Sequence, residues 1–329
     1  MDSIASGEFI TEEEIEAAQA ENLADILSAV SGLEISDYGN AGGLKAISIR
    51  GSSPEQVLVM FDGRPMNNPQ TGKIDLGQIP ANIIEKIEIY RGPASAIYGA
   101  NALGGVVNII TKKGKGDSKG AVNLNVGTYG AQDYKASYQG ANDNLNYYFS
   151  GNYFTTDGDR ENSQLDEINF LGKIINKLDQ QTDIGLVLRY HNYNRGLPGS
   201  IDYPSPEAIQ KDQDFNLDLT WQKREEDKDV NANGFYSFHR VFFDNPGMWG
   251  HTGASIHKTN SLGFSFDYTD YNFTFGDNGS DSQHIFTWGA EIKNDQVDST
   301  DIGEHNSLNG AIFVQDVWQP YDMDDLKVT

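Results

Sequence analysis

The 329-residue sequence contains no cysteine. A disulfide framework, a thiolate metal site and a cysteine nucleophile are therefore excluded. No apolar run approaches the roughly 20 residues that a membrane-crossing helix needs. Positive charge is scarce: 24 Lys and Arg stand against 48 Asp and Glu, a net charge of -24. Nucleic acid is excluded as a partner, because phosphate binding needs a basic face. Residues 1–7 have neither a basic n-region nor an apolar h-region, so they are not read as a signal peptide. No G-x-S-x-G, Walker loop, H-E-x-x-H or EF-hand pattern occurs, and nothing argues for an enzyme. The six histidines are scattered, with His251 and His257 placed in one long loop and given no metal role. Gly114-Lys115-Gly116 is read as a linker rather than a phosphate cradle.

Glycine and aromatic residues, by contrast, are plentiful: 35 Gly, 16 Tyr, 16 Phe and 4 Trp. The first third alternates short helical and strand signals. Thr11-Glu12-Glu13-Glu14 is a capping box that opens a helix to about residue 20. Asn22 caps a second helix over 23–30, with Leu23, Ile26, Leu27 and Val30 as its apolar stripe and Gly32 beyond its end. Strands are predicted at 46–50 and 56–61, and Asp62-Gly63 breaks the second and leads to a polar loop at 66–73. A strand over 83–91 places Ile84, Lys86, Glu88 and Tyr90 on one face and Ile83, Glu85, Ile87 and Ile89 on the other. Residues 94–98 allow no more than a turn of helix. Residues 104–112 have almost no polar content and predict a strand buried on both faces. Composition alone would fit a small soluble α/β domain.

Beyond residue 119 the pattern becomes period two over long, aromatic-rich segments. Leu145, Tyr147, Phe149, Gly151 and Tyr153 alternate with Asn146, Tyr148, Ser150 and Asn152. The same alternation marks segments around 122–126, 184–190, 215–221, 262–268 and 286–292. Short turns are expected at 141–144, 178–181, 224–228 and 276–282, and longer loops at 155–164, 195–212, 243–257 and 296–306. Short turns on one rim and long loops on the other match an outer-membrane barrel. A soluble sandwich or β-helix fits less well, because strands of about 10 to 14 residues are long for soluble sheets. About ten strands are counted, with an eleventh starting near Asp325.

Three glycine-marked phrases give the first third its identity: Ile49-Arg50-Gly51, Arg91-Gly92-Pro93, and Tyr98-Gly99 followed by Gly104-Gly105-Val106-Val107-Asn108-Ile109-Ile110. Together, in this order and spacing, they closely resemble the plug domain of TonB-dependent outer-membrane receptors. The resemblance implies an α+β plug followed by a partial antiparallel transmembrane β-barrel, about 10–11 of the roughly 22 strands of a plugged transporter. The expected divisions are a leader at 1–7, the plug at 8–113, a linker at 114–118 and the first half of the barrel at 119–329. It further implies the outer membrane of a Gram-negative bacterium, lipid around the barrel, a scarce small-molecule nutrient as ligand, and the inner-membrane TonB complex as partner, with its contact segment missing from this chain. The plug most resembles the cobalamin-receptor branch, through residues 38–44 (YGNAGGL) and the loop Gly196-Leu197-Pro198-Gly199-Ser200. Receptors for ferric siderophores or haem share the plug style. A signal-transducing or toxin-docking receptor is the reading from another class.

Candidate site residues follow. Tyr38, Asn40, Leu44, Met66, Asn67, Asn68 and Gln70 lie on glycine- and asparagine-rich connections that a rigid core can present to a ligand. Arg50 and Arg91 are expected to project toward the barrel wall; in the family their counterparts are held by acids from later barrel strands. Without those strands they should rely on water or nearby acids. Asp157 and Asp159, with Asp212 and Asp214 at the end of the next loop, form a candidate calcium site on one rim, since calcium tolerates irregular carboxylate clusters. No other cofactor is implied.

Overall fold

The structure, a computed structural model, describes residues 7–39, 42–95, 99, 101–248, 250–273 and 282–320. It contains the expected architecture: an α+β plug, then a single antiparallel sheet of ten strands that forms part of a barrel wall.

The plug begins with a short edge strand, β1 (Glu8–Ile10), that the sequence pattern does not reveal. Helix α1 (Glu12–Ala18) is capped by Thr11, whose hydroxyl accepts from the Glu14 amide while the Glu14 carboxylate accepts from the Thr11 amide. Helix α2 (Leu23–Ser28) is capped in the same reciprocal way by Asn22 and Asp25. Its stripe of Leu23, Ile26 and Leu27, continued by Val30, is buried in the plug core. Two strands follow, β2 (Leu33–Asp37) and β3 (Lys45–Ile49), paired antiparallel. The main plug sheet adds β4 (Val57–Phe61), β5 (Arg64–Pro65), β6 (Ile84–Arg91) and β7 (Gly105–Thr111), in the order β1-β6-β7-β4-β5. Central β7 runs parallel to β4 and antiparallel to β6, and its largely buried residues explain its lack of polar side chains.

The β6 face assignment needs one correction. The register slips between Ile84 and Lys86. A bulge of this kind shifts the side-chain alternation by one residue. Ile84 therefore joins Ile87 and Ile89 in the core, instead of sharing a face with Lys86 and Glu88.

The wall comprises β8 (Lys119–Val126), β9 (Gln132–Ala141), β10 (Leu145–Thr156), β11 (Leu165–Lys177), β12 (Thr182–Gly196), β13 (Ile209–Arg224), β14 (Lys228–Asp244), β15 (Ser255–Phe273), β16 (Ser282–Ser299) and β17 (Gly303–Pro320). Each pairs antiparallel with its neighbour in sequence. Outward positions carry exposed apolar groups such as Ile184, Leu262 and Phe264, while inward Tyr148, Ser150 and Asn152 are buried. The connection at 296–306 is not a long loop. Strands β16 and β17 continue into it and close on residues 300–302, where the Asp301 amide donates to Ser299 Oγ at 3.1 Å. Those strand ends are polar on both faces, so no apolar alternation marks them. The turn expected at 276–282, the strand near Asp325 and the Tyr98 phrase lie wholly or partly outside the described residues.

The turn of β4–β5 seats the plug on the wall. The Lys173 ammonium of β11 donates to Asp62 Oδ1 at 3.0 Å and to Thr111 Oγ1 at 2.9 Å. The Arg189 guanidinium of β12 lies over the Phe61 ring, 4.6 Å from its centroid. Arg64 donates to Asn216 of β13 at 2.7 Å, pairs with Asp218 at 2.5 Å and sits over Phe235 of β14. Four residues thus meet four successive strands. Near the plug exit, Lys112 and Lys115 both reach Glu12 of α1, each at 3.0 Å. Burial opposes the Glu12 charge, but hydrogen bonds from Lys115 and Lys112 outweigh it and hold the carboxyl below its ordinary pKa.

Two outcomes are expected. Lys173→Met strands Asp62 and Thr111 without their buried cation and should lower unfolding stability in denaturant by about 3 kcal/mol. A change under about 0.5 kcal/mol would mean the contact is idle. Because its folded pKa is depressed, Glu12 stabilises the fold above its unfolded pKa of about 4.3. That contribution is lost as pH falls through the folded value. Stability curves of wild type and Glu12→Gln should therefore separate at pH 7 and converge in acid; curves parallel from neutral to acid pH would contradict the assignment.

Candidate ligand cavity

A cavity of about 820 Å³ opens between the top of the plug and the inner face of the wall. Tyr38, Leu44, Met66, Asn67, Asn68 and Gln70 all line it. Asn40 lies outside the described residues. The wall side is supplied by inward residues of β12 to β16, including His191, Asp214, His239, His257, Thr259 and Lys293.

The two apex loops differ in how they are built. Loop 66–73 is stitched from within. Asn67 Oδ1 accepts from the Val59 amide at 2.9 Å, and its Nδ2 donates to the Val57 and Gly72 carbonyls, both at 2.9 Å. Asn68 Oδ1 accepts from the Gln70 and Thr71 amides at 2.8 and 3.3 Å. Both asparagines are therefore spent largely on holding the loop. Gln70 reaches the wall, its Nε2 3.2 Å from His257 Nδ1. Met66 lines the cavity and also packs on the plug core. Tyr38, at 72% exposure, is the most open of the six.

Loop 38–44 is held from the wall by Arg195, the penultimate residue of β12, which is only 6% exposed. Its guanidinium donates to the Gly42 carbonyl and lies 3.4 Å from Asp75 and 3.7 Å from Asp212. Gly42 comes so close that a Cβ there would meet the Arg195 side chain at 3.3 Å. Asp75 also accepts from the Lys45 and Gly77 amides at 3.0 and 3.1 Å. Burial raises the Asp75 pKa, and the charge of Arg195 offsets part of that rise.

The four aspartates of the calcium expectation are placed differently from the rim cluster that spacing predicts. Asp212 and Asp214 are in β13, facing inward, and not at a loop end. Asp214 accepts between two histidines of the flanking strands, 3.3 Å from His191 Nδ1 and 2.5 Å from His239 Nδ1. Asp159 lines the cavity from loop 157–164, whereas Asp157 does not. Among the described residues no group of three or more His, Asp or Glu is placed to hold a metal ion. The polar stretch 195–212 reads as loop, but β12 and β13 extend through its ends, which turns these aspartates toward cationic partners.

Arg50 and Arg91 do not reach the wall. Arg50 is exposed at a left-handed turn with φ 52°. Arg91 pairs with Glu8 of β1 and donates to the Ser31 carbonyl at 2.9 Å. Sequence reading missed the cations that do bridge plug and wall: Arg64, Lys173, Arg189 and Arg195. Lys173 and Arg189 occupy inward positions of alternating strands, where a lone charge beside apolar neighbours was the available signal; Arg195, between Asn194 and Gly196 in the polar end of β12, carried no such signal. His257, placed in a loop by spacing, lies in β15 and faces the cavity; His251 remains in the loop, 3.4 Å from Asp244.

A family model, the TonB-dependent Receptor Plug Domain, fits residues 1–106. The vitamin B12 transporter BtuB of Vibrio vulnificus (strain CMCP6) is 39% identical over 125 residues, 38% of this chain and 20% of that protein. The BtuB of Vibrio cholerae serotype O1 (strain M66-2) is 40% identical over 110 residues, 33% of this chain and 18% of that protein. The match thus spans about a fifth of the length of these curated relatives. In three dimensions the siderophore receptor PirA from Acinetobacter baumannii aligns with TM-score 0.77 and 19% identity, over 96% of this chain and 54% of that one. The ferric citrate transporter FecA in its unliganded form aligns with TM-score 0.74 and 18% identity, over 96% and 54%. At such identities the structural likeness speaks for the fold alone.

Asn67→Ala would leave the Val59 amide and two carbonyls without partners, at a cost of about 1–3 kcal/mol for the unmet groups. The variant should lower the unfolding midpoint and raise hydrogen exchange across 66–73. Gln70→Ala should do neither. Equal exchange in the two variants would show that Asn67 is not the loop's fastener.

Proposed function

We propose that the chain belongs to the TonB-dependent outer-membrane receptors, as the match of residues 1–106 to the plug family supports, and that its cavity captures a scarce nutrient at the cell surface, cobalamin being the best reading. It is not an enzyme. The observation that carries the proposal is the convergence of both plug apex loops and the inward wall residues on one cavity of about 820 Å³. A volume of that order is within the range of small-molecule sites. The lining mixes apolar groups (Leu44, Met66, Phe235) with amides and imidazoles (Gln70, His239, His257), a surface suited to a large ligand with both hydrocarbon and amide parts. Cobalamin is supported by the identity with vitamin B12 transporters, 39% over 125 residues and 40% over 110 residues.

Release of the ligand to the periplasm requires the plug to rearrange, and in this proposal the TonB complex of the inner membrane supplies the work. The plug is suited to partial rearrangement. Its β1 is an edge strand of three residues, paired only with β6 in the plug sheet. The turn at 61–64, in contrast, is fastened to the wall by buried ion pairs and hydrogen bonds.

The test is calorimetric titration of the full-length receptor with cyanocobalamin and, in parallel, with ferric enterobactin. Cyanocobalamin should bind at least about ten-fold more tightly, a difference of about 1.4 kcal/mol. The reverse order would assign the receptor to siderophores. Binding of neither would set aside the cavity as the capture site for both classes.

A further inference from the structure

Two wall loops form the mouth of the cavity: 157–164, between β10 and β11, and 197–208, between β12 and β13. A single side chain joins them. Asn162 Nδ2 lies 2.7 Å from the Ser205 carbonyl, 2.8 Å from the Ala208 carbonyl and 3.3 Å from the Leu197 carbonyl. All three neighbours are acceptors, so only the amide nitrogen can face them. Its two protons are shared among three oxygens. The second loop closes on the same point: the Leu197 amide donates to the Ala208 carbonyl at 2.9 Å and the Ser205 amide to the Pro198 carbonyl at 2.8 Å.

Two further features fit this junction. Asn162 has φ 59°, a left-handed conformation that asparagine tolerates better than most residues. Gly196, where β12 ends, passes so close that a Cβ would meet Asn162 O at 2.4 Å and its Oδ1 at 2.5 Å. On the far side of the clasp, Asp159, Arg160, Leu197, Pro198 and Gly199 line the cavity.

We propose that Asn162 is a positioning residue: its amide clasps loop 197–208 to loop 157–164 and so sets the shape of the cavity mouth. It touches no ligand itself. Its effect on binding rests on the cavity being the capture site, whereas its effect on the loops does not.

The experiment uses the full-length receptor with two substitutions. Asn162→Asp is isosteric but turns a carboxylate toward three carbonyls. Asn162→Gly keeps the left-handed backbone and deletes the amide. Hydrogen exchange is measured without ligand, and cyanocobalamin association and dissociation are measured separately. In both variants exchange should rise within 197–208, more in Asp than in Gly, while the cores of β11 and β12 stay protected. Cyanocobalamin should leave Asn162→Asp about ten-fold faster, the loss of hydrogen bonding worth a factor of that order. Unchanged exchange at 197–208 in Asn162→Asp would overturn the clasp. So would loss of protection throughout β11 and β12 in both variants, since that marks a general folding role. If the wild-type receptor binds no cyanocobalamin, the ligand reading falls and the exchange data alone decide the clasp.

Discussion

A cation taken out of water must find an anion or a set of oxygens, and the seating of this plug depends on that demand. The wall presents Lys173, Arg189 and Arg195 on its inner face, where water is largely excluded. The plug answers with Asp62, the Phe61 ring, the Gly42 carbonyl and Asp75. It returns a cation of its own, Arg64, to the wall's Asp218. The apolar core of the plug holds its helices and sheet together and reaches the wall at Tyr148 and Leu171. The charged groups add direction to that contact, because each is satisfied at one position and left stranded at any other.

The cavity inherits its shape from the same contacts. Arg195 fixes loop 38–44 from outside, whereas loop 66–73 is fixed from inside by Asn67. One apex loop is thus coupled to the wall and the other is largely self-supporting. Gln70 is the exception, reaching His257 on β15. A ligand resting on both loops would bear on the wall through Arg195 and His257, two strands that are three positions apart in the sheet.

Much of the fold was legible in the sequence because it is written in periodicities. The capping boxes at Thr11 and Asn22 start helices where they stand, and the alternation through β10 to β16 separates lipid-facing from inward residues. What stayed hidden lacks a period. Strand β1 is three residues long, and its partner β6 lies about 80 residues away in sequence. The bulge in β6 depends on pairing with β7 and not on β6's own residues. The polar outer ends of β12, β13 and β15 to β17 read as loop because neither face is apolar. That error also displaced Asp212 and Asp214 from the wall to the rim. The candidate site was readable as loops but not as bonds: Asn67 and Asn68 were identified by composition, yet their amides serve the backbone, and the partners involved could be named only from the fold.

The turn at 61–64 touches β11, β12, β13 and β14 in order, one strand after another. Such an arrangement acts like a key cut for four adjacent tumblers. Neighbouring strands of a twisted sheet present their side chains at successive angles and heights, so the four contacts can be made together in one rotational setting only. Plug and wall therefore form a matched pair. A plug grafted into a foreign barrel would carry its core intact, yet would have no defined orientation unless those four strands came with it.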